Sequence, residues 1–211
     1  MDDVLRYIGA VTREVRSEEY DGQPARIVVA TCSYDTSIED LWDAITNAER
    51  IPRWFLPISG DLRLHGRYQL QGNAGGEITA CDPPRNLALT WEFGGGPLSW
   101  VRVQLMELSD GGTKLRLEHI AHVPEEFWGQ YGPGAVGVGW DLTLMMGLGR
   151  HILTGACVDP AQAAEWTKSE EGKLFMRGSS DGWCRASIAS GTNEKAALDA
   201  AERTTKFYGG L

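Results

Sequence analysis

One spacing in the sequence is typical of metal-binding sites. His119 and His122 form an H-x-x-H pattern, and Glu125 and Glu126 follow closely. Imidazole and carboxylate groups bind zinc when the fold points them at one position. The alternation over residues 113–119 predicts a strand, however, and on a strand residues three apart point to opposite faces. We therefore expect no metal site, and we interpret His119 first as a buried imidazole and second as a ligand contact or general base.

The segment 132–137 reads G-P-G-A-V-G and matches the G-x-G-x-x-G pattern of dinucleotide-binding loops. Such a loop must follow a strand, and an acidic residue at the end of the next strand must bind the ribose. Here residues 125–131 are polar and aromatic, and Asp159 follows a predicted helix. We expect the glycines to provide a sharp turn into the next helix, and we predict no cofactor.

Asp141 stands in a segment, residues 138–153, that is apolar nearly all the way round. A carboxylate in such a helix must be paired, capped or placed near the positive helix start. A role as a functional acid is the second interpretation, and the spacing identifies no second carboxylate that would work with it.

The sequence gives no support to a nucleophilic mechanism. No predicted strand runs into a G-x-S-x-G nucleophile elbow, and no cysteine lies in a recognisable nucleophile context. The four cysteines form no C-x-x-C pair and are far apart: Cys32, Cys81, Cys157 and Cys184. We expect reduced, mostly packed thiols, and we assign no catalytic residue.

The net charge excludes several classes of partner. The 211 residues include 20 Lys and Arg against 29 Asp and Glu, a net charge of −9, which disfavours nucleic acid and anionic lipid. No apolar run reaches the roughly 18 residues that a bilayer span needs. The N-terminus lacks the basic and apolar regions of a secretory signal. We expect a globular cytoplasmic protein, a monomer or a homodimer, with no nucleic-acid or membrane partner.

The N-terminal part of the sequence predicts a hairpin and then a helix. Residues 20–24 read Y-D-G-Q-P, a turn between two extended stretches, so we expect a hairpin within residues 1–34. Thr36 and Glu39 then fit a capping box at a helix start. One apolar stripe follows at helical spacing, formed by Ile38, Leu41, Trp42 and Ile45.

Residues 60–120 change to a period of two with tight turns, which predicts an antiparallel meander of five strands. One predicted strand starts near Leu62 and Leu64. A later one places four apolar side chains on a single face: Leu87, Leu89, Trp91 and Phe93. The helix over residues 138–153 has no polar face and must be wrapped, for which a curved sheet suits it better than a bilayer.

Three further helices are predicted after residue 155, with caps at Asp159, Ser169 and Thr192. Gly209 and Gly210 end the last of them. Strands first and helices afterwards favour the α+β class over a parallel fold.

Seven short motifs follow one another along the chain, at residues 41–46, 54–55, 72–77, 82–85, 89–91, 112–113 and 117–119. With this order and spacing the chain resembles the START-like (SRPBCC) superfamily, and within it the family related to the C-terminal domain of the heat-shock protein 90 ATPase activator. The resemblance covers residues 26–153 and implies the helix-grip fold, a curved antiparallel sheet wrapped around a long helix. His65 is a departure, because family members often have a second glycine before Gly66. We expect a helix-grip domain over residues 1–155 and a helical extension, residues 156–211, packed on the same domain.

The resemblance implies a cavity between the sheet and the long helix, used in the superfamily for apolar ligands and in a few branches for catalysis. We therefore predict a binding protein for a small, largely apolar ligand. The candidate ligand-binding residues are Trp54, Phe55, Tyr68, Leu70, Leu89, Trp91, Phe93, His119, Trp128, Tyr131, Trp140, Leu144, Met145 and Leu148. A co-chaperone-like or regulatory module that binds a protein partner is the alternative. A cyclase- or dehydratase-type enzyme, in which His119 or Asp141 moves a proton, is the third.

Overall fold

Eight strands form one sheet in the computed structural model, which describes residues 2–209. The strands are β1 (Thr12–Tyr20), β2 (Gln23–Tyr34), β3 (Ile58–Gly60), β4 (Arg67–Leu70), β5 (Gly75–Asp82), β6 (Asn86–Trp91), β7 (Ser99–Glu107) and β8 (Thr113–Ala121). Their order is β1-β2-β8-β7-β6-β5-β4-β3, and the neighbours from β3 to β8 pair antiparallel. The predicted N-terminal hairpin and the α+β class are confirmed.

The helices precede, interrupt and follow the strands. They are α1 (Asp2–Gly9), α2 (Ile38–Thr46), α3 (Ile51–Trp54), α4 (Glu125–Tyr131), α5 (Gly134–Asp141), a π-helix (Leu142–Gly149), α6 (Arg150–Thr154), α7 (Pro160–Lys168), α8 (Glu170–Ala189) and α9 (Glu194–Gly209). Asp159 and Ser169 cap α7 and α8 as predicted, because their side-chain oxygens accept hydrogen bonds from first-turn amides. No helix in the described residues combines the length and the apolar character needed to cross a bilayer.

The chain forms two compact units. The helical unit contains the described residues of 1–30, 123–146 and 159–211, and the sheet unit contains residues 31–122 and 147–158. These bounds differ from the predicted division after residue 155. The C-terminal helices belong with the N-terminal segment because α8 packs against both α1 and β1.

The helical unit is built around α8, which also packs against α5, α7 and α9. Its buried side chains recur at helical spacing and include Phe175, Met176 and Trp183, each at most 1% exposed. Gly137 of α5 faces the Trp183 ring, and a Cβ atom at this position would collide with the ring. Glycine at 137 therefore permits the close approach of α5 to α8.

The sheet unit owes its core to the alternation that the sequence shows. On β7, Val101, Val103 and Leu105 are buried while Arg102 and Gln104 between them are exposed. The register pairs these buried residues with His119, Leu117 and Leu115 of β8, so the apolar side chains of both strands share one face. We call this face, continued onto β6, the inner face of the sheet.

Several predicted element ends are wrong by a few residues. The segment that contains Leu62 and Leu64 is a loop, since β3 ends at Gly60 and β4 begins at Arg67. Strand β6 ends at Trp91, so Phe93 lies beyond it and is 58% exposed. The glycine-rich run after Phe93 explains the early end, because Gly94 and Gly95 adopt positive φ angles of 60° and 71°.

The helix starts show a second kind of error. The sequence did not indicate α1. Ser37, and not Thr36, caps α2, since its hydroxyl accepts from the Asp40 amide while the Thr36 hydroxyl donates to the Asp40 carboxylate. The Asn193 side chain accepts from the Ala196 amide at the start of α9, where the sequence predicts Thr192. The predicted stop at Gly210 lies outside the described residues.

The predicted long helix over residues 138–153 is helical throughout but changes type in its middle. It runs as α5, then as the π-helix of eight residues, then as α6. A π-helix makes i→i+5 hydrogen bonds and is rare at this length. The apolar composition that predicts a helix here does not distinguish between the two helix types.

Candidate functional site

The inner face of β6, β7 and β8 brings together the predicted site residues Leu89, Trp91 and His119. The register pairs Leu89 with Val101 and Trp91 with Ser99, and it pairs Val101 with His119. Directly paired residues of antiparallel strands point to the same side, so all five side chains share this face. The period-two pattern predicted this arrangement correctly for β6 and β8.

His119 is part of a short hydrogen-bonded chain on this face. The Ser99 hydroxyl donates to the Trp91 carbonyl at 2.7 Å, and His119 Nε2 lies 3.0 Å from the same hydroxyl oxygen. A serine hydroxyl carries one proton, so Ser99 accepts from His119, and the imidazole is protonated on Nε2. The Trp91 ring packs edge-on against the imidazole with centroids 6.3 Å apart.

Burial keeps the imidazole neutral. His119 is 7% exposed, and desolvation lowers its pKa to about 4. At pH 7 the side chain therefore presents a polar but uncharged group on an otherwise apolar face. Such a group can orient a ligand by a hydrogen bond without adding a charge.

Exposure differs sharply across the inner face. Val101 is 3% exposed and Leu117 is 4% exposed, as expected for a packed core. Leu89 and Trp91, on the neighbouring strand, are only partly covered. The β6 end of the inner face thus offers apolar surface beside the buried His119 and Ser99 pair.

Other predicted site residues of the sheet unit are core residues with satisfied polar groups. Trp54 is 8% exposed, and its indole N–H donates to the Ala44 carbonyl at 2.9 Å. Phe55 stacks on it. Tyr68 donates to the Thr90 carbonyl at 2.8 Å, and burial together with the nearby Glu92 carboxylate raises the pKa of Tyr68. The most deeply buried site candidates of the sheet unit, each at most 5% exposed, are Tyr68, Leu70 and Leu148.

The remaining predicted site residues belong to the helical unit. Leu144 and Met145 are 2% and 4% exposed, while Trp140 is partly exposed. Trp128 lies under the Arg26 guanidinium, 5.1 Å from the ring centroid, and it shares the wall of a small cavity with Tyr131.

Asp141 is the centre of a buried polar cluster in the helical unit. Its Oδ2 atom accepts from Arg13 Nε at 2.8 Å, from the Ser179 hydroxyl at 2.5 Å and from the Trp183 indole N–H at 3.2 Å. Asp141 is 0% exposed, and within the part of the chain that the structure describes its Oδ1 atom has no hydrogen-bond partner. Burial raises the pKa of Asp141, and the Arg13 guanidinium opposes that shift.

Pairing, the first interpretation of Asp141, is therefore correct. Its partners could not be read from the sequence, because Arg13 and Trp183 are 128 and 42 residues away from it. The Arg13 guanidinium also donates to the carbonyls of Ile8 and Val11, which ties the start of the chain to this cluster.

The H-x-x-H residues do not converge. His119 lies on the inner face, whereas His122 packs edge-on against Trp100, which pairs with Ile120 on the other face. Within residues 2–209 no group of three or more His, Cys, Asp or Glu side chains is placed to hold a metal ion. None of the four cysteines forms a disulfide bond within the described residues.

A family model described as "Activator of Hsp90 ATPase homolog 1-like protein" matches residues 35–150, more than half of the chain. The chain belongs to this family. The match contains β3 to β8, and therefore the whole β6 to β8 part of the inner face. Its fold is that of the START-like superfamily, as the sequence motifs predicted.

Solved structures extend the likeness beyond the family segment. CalU16 from Micromonospora echinospora is 32% identical, and the comparison with its crystal structure covers 87% of this chain and 99% of that chain, with a TM-score of 0.66. Its solution NMR structure gives a TM-score of 0.70 over 86% of this chain and 97% of that chain. Because this coverage exceeds residues 35–150, parts of the segments outside the family match have counterparts in CalU16.

More distant structures show the fold alone. EF2215 from Enterococcus faecalis is 14% identical over 90% of this chain and 97% of that chain, with a TM-score of 0.60. DynU16, from the dynemicin biosynthetic locus, is 23% identical over 62% of this chain and 48% of that chain, with a TM-score of 0.52. The curated proteins contain no match.

The departure of the chain from the family pattern at His65 has a structural explanation. His65 adopts a left-handed conformation with φ of 63°, and its amide donates to the Ile78 carbonyl. Glycine adopts this conformation without steric cost, which fits the second glycine that the family resemblance implies at this turn. The turn nevertheless forms with histidine, so the departure leaves the fold intact.

Proposed function

We propose that this member of the family is a binding protein for a small, largely apolar molecule, held in a cavity against the β6 end of the inner face. The observation that carries the proposal is the partial exposure of Leu89 and Trp91 beside fully packed neighbours on the same face. An apolar ligand gains free energy by covering such side chains, at about 25 cal/mol per Å² of apolar surface removed from water.

The polar group nearest this surface favours recognition of an uncharged ligand. The imidazole of His119 is neutral and already donates its Nε2 proton to Ser99. Neither residue supplies a charge that would balance a carboxylate or an ammonium group on the ligand. A mainly hydrocarbon molecule with few polar atoms therefore matches the site best.

Binding of an uncharged aromatic probe tests the proposal. We expect N-phenyl-1-naphthylamine to bind the purified chain saturably, with an increase in its fluorescence. Trp91→Ala should weaken the binding by about tenfold, because a large aromatic contact is lost. Native mass spectrometry of the purified protein, with extraction of any added mass, would identify a ligand that copurifies.

Trp100→Ala is the matched control. Trp100 also lies on a central strand and is also partly exposed, but it pairs with Thr90 and Ile120 and so faces away from Trp91. Its loss should leave the probe affinity within about twofold of the wild type. Equal affinities for the Trp91 variant and the wild type, with both proteins folded by circular dichroism, would refute the assignment of the site.

A further inference from the structure

The helical unit contains a small cavity of its own, of about 50 Å³. Residues of α4, α8 and α9 and of the turn before α5 form its wall. The wall includes the side chains of Trp128, Tyr131, Ser180, Trp183, Ala197 and Ala200. All of them belong to the helical unit, whereas β6, β7 and β8 belong to the sheet unit.

Small side chains keep the cavity open. Ala197 and Ala200 of α9 are 4% and 6% exposed, so both point into the interior, where larger apolar residues usually fill the space. At Gly134 an added Cβ would lie 2.9 Å from the Thr204 side chain, which shows how closely α5 already approaches α9. The gap therefore results from the alanines and not from a loose helix arrangement.

One hydroxyl on the wall lacks a hydrogen bond. Ser180 is 1% exposed, and its Oγ atom has no hydrogen-bond partner among the described residues. Other polar groups on the wall are satisfied: the Ser187 hydroxyl donates to Thr192 at 2.9 Å, and the Trp183 indole donates to Asp141. An unsatisfied buried hydroxyl costs about 1–3 kcal/mol, which a suitable guest in the cavity would recover.

The wall chemistry favours an organic guest over water. A buried water usually needs two to four polar partners, whereas an apolar cavity stays dry or takes an apolar guest. Among the described wall residues, Ser180 is the one hydroxyl that still lacks a partner. A single hydrogen-bonding group in apolar surroundings matches a small hydrocarbon body with one oxygen atom.

We propose that this cavity is a second binding site, which takes a small, mainly apolar molecule carrying one hydroxyl or carbonyl group that hydrogen-bonds to Ser180. The volume limits the buried part of the ligand to a few non-hydrogen atoms. Primary alcohols of three or four carbons have this size and chemistry, and they serve as probes.

Chemical-shift perturbation of the ¹⁵N-labelled full chain by 1-propanol tests the site. We expect saturable shifts at the amides of Ser180, Ala197 and Ala200 in the wild type. Ser180→Ala should weaken 1-propanol binding by about fivefold, the effect of one hydrogen bond. Xenon, which needs no hydrogen bond, should bind the wild type and the Ser180→Ala variant equally well.

Further variants test whether the shifts arise from binding in the cavity or elsewhere on the helical unit. Ala197→Val should fill the space and abolish both the propanol and the xenon shifts, and Ala200→Val replaces it if the first variant does not fold. Ala189→Leu, at an exposed position of α8, should change neither. The proposal is overturned if propanol shifts in the wild type do not saturate at these amides, or if Ser180→Ala binds propanol as the wild type does.

The outcome is independent of the function proposed for the sheet unit. Trp91→Ala should leave the 1-propanol and xenon shifts at Ser180 unchanged, because the two residues belong to different units. Loss of probe binding to the inner face with retained propanol binding would support both proposals. Loss of the propanol shifts in Trp91→Ala would contradict the second.

Discussion

His119 of the sheet unit and Asp141 of the helical unit are both buried ionisable side chains, and their surroundings differ. His119 of the sheet unit is kept neutral, makes its hydrogen bond to one serine and lies beside partly exposed apolar side chains. Asp141 of the helical unit receives three donors on one oxygen, and these come from a strand and a helix that are distant in sequence. His119 is thus a polar group beside apolar surface that a ligand could cover, whereas Asp141 holds together elements that are distant in sequence.

A tryptophan beside each group allows the same substitution in both units. Trp183, next to Asp141, is 1% exposed, whereas Trp91, next to His119, is partly exposed. Because of this difference in exposure, Trp183→Ala should lower the free energy of unfolding much more than Trp91→Ala does.

The largest effect is expected for Trp183→Ala. The variant loses a fully buried ring and one donor to Asp141, so we expect the free energy of unfolding to fall by about 4–5 kcal/mol. Urea unfolding followed by circular dichroism measures it. A loss below about 2 kcal/mol would show that the helical unit repacks around the gap.

The second-largest effect is expected for Arg13→Met. The free energy of unfolding should fall by about 3 kcal/mol at pH 7.5, because the buried Asp141 carboxylate then lacks its cation. A proton can replace the cation. The variant raises the pKa of Asp141 further above its usual range, so the folded state binds this proton more readily than the unfolded state. The loss should therefore shrink as the pH is lowered from 7.5 to 4.5, and an equal loss at both values would exclude this explanation.

His119 should produce a pH dependence of the opposite sign. Its pKa is about 4 in the folded state and about 6.5 when unfolded, so the unfolded state binds more protons between these values. Stability should fall as the pH is lowered from 6.5 to 4, by up to about 3 kcal/mol for this residue. His119→Gln should remove that part of the slope. An unchanged slope in urea unfolding across this range would assign it to other groups.

Trp91→Ala should have the smallest effect on stability, about 1–2 kcal/mol, because part of the ring is already in water. Thermal unfolding of the Trp91→Ala and Trp183→Ala variants under the same conditions compares the two losses of stability directly. Equal losses in the two variants would mean that Trp91 is a core residue, and the ligand proposal would lose its main support.

Much of the sheet unit could be predicted because its pattern is local. Alternation alone predicted a strand over residues 113–119 and a single face for Leu87, Leu89 and Trp91, and strands β8 and β6 confirm both. Strand ends were harder, since the side chains of Trp91 and Phe93 fit a strand equally well. The backbone freedom of the glycines after Phe93 decided where β6 stops.

The helical unit was less predictable because its main interactions are long-range. The caps at Asp159 and Ser169 are local and were correct. Helix α1 depends on packing against α8, where Ile8 fills the space beside Gly178, and a short helix has little stability of its own. That Asp141 needs a partner followed from its apolar surroundings, but only the fold could choose Arg13.

The Arg13 and Asp141 pair also affects the order in which the chain can fold during its synthesis. The sheet unit has all its residues once residue 158 has been made, whereas Asp141 receives its last donors from Ser179 and Trp183. Domains generally fold as units while the chain emerges from the ribosome. The strand that carries Arg13 is made before Asp141, but the hydrogen bonds that complete the Asp141 cluster require α8, which is made later.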